Sequence, residues 1–214
     1  NTHGRWRSRV LRQVRQQERG DTLIEVLLAF AILSAVVVGA IVIMNQGVSS
    51  AQNSLEISLV RNQIDTQAEL LRHLNNGKLT SAGRASNQVA EQWDKAISRA
   101  GSAAQPYDDI ATVEQCTVTN IPPGAFFIHP INGTVIHDRF DDAATFAQVQ
   151  EVDPGNMISN MLWVEAVYNN NAQTPTLTNT KYYDFHIRAC WESSGVGTGL
   201  MKLGTIVRLY VPNE

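Results

Sequence analysis

No enzymatic signature runs through these 214 residues. The sequence has no Gly-rich phosphate loop, no Gly-x-Ser-x-Gly elbow and no His-Glu-x-x-His pair, so the familiar motifs for phosphoryl transfer, acyl transfer and zinc hydrolysis are missing. We therefore expect a non-enzymatic role. Proline is lacking from the first 105 residues, the earliest being Pro106, so no residue before it breaks a helix by removing a backbone donor. Cysteine occurs twice, as Cys116 and Cys190, which leaves room for one disulfide at most. Positive charge is scarce outside the N-terminus. Residues 1–20 hold six arginines (Arg5, Arg7, Arg9, Arg12, Arg15, Arg19) against Glu18, a local +5; with −3 for the whole chain, the remainder carries −8. An acidic remainder does not imply a nucleic-acid partner.

What is present is one long apolar run. From Val26 to Met44, 19 residues follow with Ser34 as the only polar side chain. At about 1.5 Å per residue, a helix of that length crosses a bilayer core. The arginines before it put the N-terminus in the cytoplasm and the rest outside, by the positive-inside rule. Glu25 stands at the head of the run, where an unpaired carboxylate costs roughly 3 kcal/mol in lipid. A secretory signal peptide has a shorter apolar core, about 7–15 residues, followed by a small-residue cleavage site. Ser49-Ser50-Ala51 offers such a site, but the run is too long and Glu25 is misplaced for it. A plain signal anchor explains the basic flank and the span, and leaves the acid unexplained.

Gly20-Asp21-Thr22-Leu23-Ile24-Glu25 followed by this helix resembles the prepilin processing site of type IV pilins and type II secretion pseudopilins. The resemblance covers roughly residues 19–44. It implies cleavage between Gly20 and Asp21 by a prepilin peptidase, N-methylation of the new terminus, and a role for Glu25 as the fifth mature residue. That acid would pair with the terminal amine of a neighbouring subunit during filament assembly. The physics is compatible: the new α-amine, with a pKa near ~7.7–8.0, is cationic at neutral pH, and pairing relieves the cost of a carboxylate in low dielectric. Asp21 stands where the family usually has Phe or another apolar residue, and its own carboxylate competes for the same amine. The partners implied are the prepilin peptidase, other pilin subunits through the helix, and the assembly platform. No cofactor is implied.

The rest of the chain divides by pattern. Residues 1–20 read as a removable leader, 21–44 as the membrane half of a helix, 45–75 as its amphipathic half and 76–214 as a head. Ile57, Val60, Ile64, Leu71 and Leu74 fall on one heptad face, with Gln67 as a gap, and Arg61, Asp65, Glu69 and Arg72 lie off it. The repeat is too short to favour a self-associating coiled coil. Asn75-Asn76-Gly77 reads as the stop, with glycine as an αL cap, giving a helix roughly 80 Å long. Ser86 to Arg99 reads as a second helix. Strands are expected at 111–118, 125–129, 134–137, 161–168, 182–191 and 203–211, the last two as an antiparallel pair joined by the Gly-rich stretch 195–199. The segment between Val135 and Met161 reads as acidic and irregular.

About 170 residues follow the apolar run, enough for a domain with its own core. Exported cysteines read as a disulfide; Cys116 with Cys190 would close a loop of about 73 residues, worth roughly 4 kcal/mol. Two free buried thiols are the alternative, and the spacing is wider than the short C-terminal disulfide loop of many pilins. His129, His137 and Asp138 form the best metal grouping, but an Asn132-Gly133 two-residue turn pairs 129 with 136 and turns the histidines to opposite faces. Asp138, Asp141 and Asp142 lack the spacing of a calcium loop and read as solvated loop acids. His73 suits a helix C-terminus. Tyr182, Tyr183, Phe185 and Trp191 fit a strand packing alternate residues into the core. These readings combine into an α+β chain: a long N-terminal helix on an antiparallel-sheet head, pilin-like, in the role of a minor subunit of a type IV pilus or a secretion or competence pseudopilus. It would be a single-pass protein of the cytoplasmic membrane, then part of a surface filament. The alternative is a membrane-anchored extracytoplasmic binding protein that forms no filament.

Overall fold

The computed structural model describes residues 21–81, 87–170, 181–194 and 199–211. Helix α1 spans Asp21–Ser81 and α2 spans Gln88–Ile97. The strands are β1 (Phe127–Ile128), β2 (Val135–Ile136), β3 (Phe140–Asp141), β4 (Gln148–Asp153), β5 (Asn156–Asn160), β6 (Leu162–Asn170), β7 (Lys181–Glu192) and β8 (Leu200–Tyr210). The fold class is α+β. The chain falls into two compact units divided after Ser49. The first, as far as it is described, is the apolar part of α1. The second holds the rest of α1, α2 and all the strands.

In the second unit the main sheet runs β6-β7-β8, antiparallel throughout. Pairing puts Leu162 beside Ala189, Val164 beside Ile187 and Ala166 beside Phe185 on one face. Because side chains alternate along a strand, the other face of β7 carries Tyr182, Asp184, His186, Arg188 and Cys190. The first face shares one core with Val60, Ile64, Ala68, Leu71 and Leu74 of α1 and with Trp93 of α2. The heptad stripe is therefore a core face, while Arg61, Asp65, Glu69 and Arg72 are exposed. Strand β8 is a sheet edge. Val211 N–H donates to Lys181 O, and in an antiparallel ladder this alternates along the register, so every second backbone unit of β8 points away from β7.

A smaller ribbon, β1 with β2, is stitched to both helices by two glutamines. Backbone groups of Ile128 that face away from β2 meet Gln67 of α1: Nε2 donates to Ile128 O and Oε1 accepts from Ile128 N, both at 2.8 Å. Across the ribbon, Val135 N donates to Gln92 Oε1 of α2 at 2.9 Å. Gln67 and Gln92 are 1% and 7% exposed, so the apparent gap in the stripe is a buried amide clamp. A third sheet, of order β3-β5-β4, pairs β3 with β5 in parallel and β4 with β5 antiparallel.

Several expectations need correction. Helix α1 does not stop at Asn75-Asn76-Gly77 but runs on to Ser81. Gly77 is absent from the positive-φ glycines; its role is clearance, since a Cβ there would sit 2.3 Å from Val89 Cγ1. Asn75 is buried and donates to Tyr210 O. His73 therefore lies in the helix interior and exposed, not in the last turn. The segment 111–118 is not a strand: 3₁₀ turns form at Val113–Gln115 and Val118–Asn120, because Gln115 Oε1 accepts from the Ala111 and Thr112 amides. The stretch between Val135 and Met161 is not irregular; it contains β3, β4 and β5. The β1–β2 register also differs, pairing Phe127 with Ile136 and Ile128 with Val135.

Candidate membrane-anchoring and assembly segment

From Val26 to Met44, α1 is apolar all the way round apart from Ser34. Exposure of its large apolar side chains runs from 49% at Val37 to 70% at Ile43. The helix is long and apolar enough to cross a membrane: its most apolar 18-residue window has a mean hydropathy of 3.0, with none of it buried. A helix apolar on every side has no water-facing face and needs cover from lipid or from other helices. The lone hydroxyl, Ser34, donates to Phe30 O at 2.7 Å, so it makes no demand on its surroundings. Glu25 is exposed and has no ion pair among the described residues. The described part of the helix begins four residues earlier, at Asp21. Gly20 lies outside the described residues.

Cys116 and Cys190 are bonded, across a sequence separation of 74. The bond ties the 3₁₀ segment to the outer face of β7. Around it, Tyr107 donates a bifurcated hydrogen bond to Ala189 O and Leu203 O, with Arg188 and Lys202 over its ring at 5.0 and 5.2 Å. Burial pushes the Tyr107 phenol up to about 12, against the lowering effect of its hydrogen bonds and of Arg188. Glu165 and Arg188 form a buried pair at 2.8 Å. Trp163 Nε1 and Gln105 N also donate to Glu165. On the inner side, Glu56 accepts from Trp191 Nε1 at 3.1 Å and from Ser194 Oγ at 2.7 Å. Sequence reasoning missed Gln67, Glu56, Glu165 and Arg188 as structural residues. Only Gln67 left a signal, as the interruption of an apolar repeat; Glu165 and Arg188 meet across 23 residues of chain, and Glu56 meets Trp191 across 135.

The other singled-out residues have separate engagements. His129 is buried, and its Nδ1 accepts from Ile131 N at 3.2 Å. The His137 ring lies 5.6 Å from that of Phe126, with Ala125 O and Lys95 O near its two nitrogens. Asp142 accepts from Val118 N, Asp141 from Asp142 N, and Asp138 faces Arg99 at 3.6 Å. Among the described residues no cluster of three His, Cys, Asp or Glu is placed to hold a metal. Phe185 and Trp191 are core residues, and Tyr182 and Tyr183 are half-buried.

Among the clefts that open on the second unit, two are lined by aromatic side chains. One of about 220 Å³ lies between the 3₁₀ segment and the sheet, lined in part by Tyr107, Gln115, Trp163 and Arg188. The other, about 280 Å³, is lined by Lys78, Trp93, Asp94, Ile97, Tyr168, Lys181, Tyr183 and Val211. Comparison with protein-family models, curated proteins and solved structures finds no match among any of them.

Proposed function

We propose that this chain is a pilin-like subunit: cleaved after Gly20 by a prepilin peptidase, held in the cytoplasmic membrane by the first part of α1, and assembled through that helix into a type IV pilus or related pseudopilus. The observation that carries the reading is the pairing of an all-round apolar helix with a single acid, Glu25, five residues after Gly20. Lipid accounts for the apolar surface. It does not account for a carboxylate at the head of that surface, which needs a cation at the same depth. The amine created by cleavage supplies one when a second subunit lies alongside. The elaborated head, with its own core and disulfide, favours a minor subunit whose head is displayed by the filament rather than one built for close repetition.

The test is the N-terminal mass of the mature protein, with and without a co-expressed prepilin peptidase. A start at Asp21 that depends on the peptidase supports the reading and reports methylation directly. An intact N-terminus in the presence of active peptidase leaves an anchored head and removes the filament. Glu25→Ala then separates assembly from anchoring: we expect the variant to be cleaved and membrane-inserted but lost from sheared filaments. For a plain anchored binding protein, the substitution leaves function intact.

A further inference from the structure

We propose that the 280 Å³ cleft between α2 and the ends of β6 and β7 binds a single sugar ring bearing a carboxylate. The size sets the first limit. At about 280 Å³ the cleft sits at the small end of ligand pockets, roughly 300–1,000 Å³, and suits a single ring. Its walls set the second. Tyr168 and Tyr183 stand with ring centroids 5.2 Å apart, and these half-buried rings offer apolar surface to the C–H face of a pyranose. Neither phenol hydroxyl bonds another described residue, so both are available to a ligand.

The charged groups are mixed in the way a hydroxyl-rich ligand requires. Asp94 is an acceptor already oriented by Lys78, whose Nζ lies 2.9 and 3.0 Å from its two oxygens. Lys181 is exposed and has no ion pair among the described residues. With Lys78 and Asp94 offsetting each other, Lys181 leaves the site one positive charge in excess, which selects a carboxylate over a neutral ring. Tyr183 is held protonated, first by burial and then by Tyr168 and Asp94, which push its phenol above the ordinary value; it stays a donor.

The experiment uses the full chain in a detergent without a sugar headgroup, titrated with glucuronic acid and with glucose, which differ only at C6. Saturation-transfer NMR and calorimetry read the binding. We expect saturable binding of glucuronic acid in the millimolar range and weaker binding of glucose. Lys181→Ala should lower glucuronic acid affinity at least about fivefold, to the level of glucose, and Tyr183→Phe should weaken both sugars, with thermal melts confirming that each variant is folded. No saturable binding of either sugar, or glucuronic acid binding unchanged in the Lys181→Ala, Tyr183→Phe double variant, would overturn the proposal. The site lies away from Gly20 and Glu25, so its failure leaves the processing and assembly reading untouched, and the reverse holds too.

Discussion

Gln67 closes two hydrogen bonds on Ile128 from a position where the α1 repeat calls for an apolar residue. Replacing it with leucine would satisfy the repeat and strand a buried N–H and C=O. We expect Gln67→Leu to cost about 2–3 kcal/mol in urea unfolding, despite the gain in apolar surface. His186 gives a second residue-scale expectation. Burial, then Arg188, hold its imidazole below the usual range, so it stays neutral in the fold at a pH where the unfolded chain, with a value of about 6.5, takes up a proton. Its contribution is complete above that value and is lost as pH falls through the folded pKa. In melts between pH 8 and pH 5, the Tm difference between the parent and His186→Gln should change below about pH 6.5 and stay flat above it.

At the scale of elements, α1 is governed by what packs on its end. Gly77 admits α2, and Gly77→Ala forces a Cβ to within 2.3 Å of Val89 Cγ1. Although alanine is the better helix former by ~1 kcal/mol, we expect a net loss of about 1–3 kcal/mol, partly restored when Val89→Ala is added. The same position shows how far the sequence could be read. Periodicity disclosed the α1 stripe, the second helix and the β6, β7 and β8 strands, because each is long enough for its period to repeat. Asn75-Asn76-Gly77 has the composition of a stop, and only a contact with Val89, twelve residues on, makes it helix interior. The β4–β5 hairpin was hidden by its acids, although Pro154-Gly155, with Gly155 at φ 77°, marks its turn. At residues 111–118 the β-type composition lost to Gln115, whose side chain competes for the backbone. Of the assembly segment, the apolar span and Glu25 were legible as a local pattern. The aromatic cleft was not, since its walls come from α1, α2, two strands and Val211, the residue after β8.

For the second unit as a whole, the Cys116–Cys190 bond closes a long loop between the 3₁₀ segment and the central strand. Cys190 is fully buried. The double serine variant should lose about 4 kcal/mol, seen as a lower Tm that reductant no longer shifts. Strand β8, by contrast, pairs with only one strand among the described residues. The amides of Leu203, Thr205, Val207 and Leu209 point to β7, while those of Lys202, Gly204, Ile206 and Arg208 point outward. In deuterium this strand should label with a period of two, slow and fast amides alternating from Lys202 to Leu209. Any neighbour that adds a strand to this edge must slow the fast set and leave the slow set unchanged. An isotope pattern along eight residues is then enough to tell a free head from one that is docked.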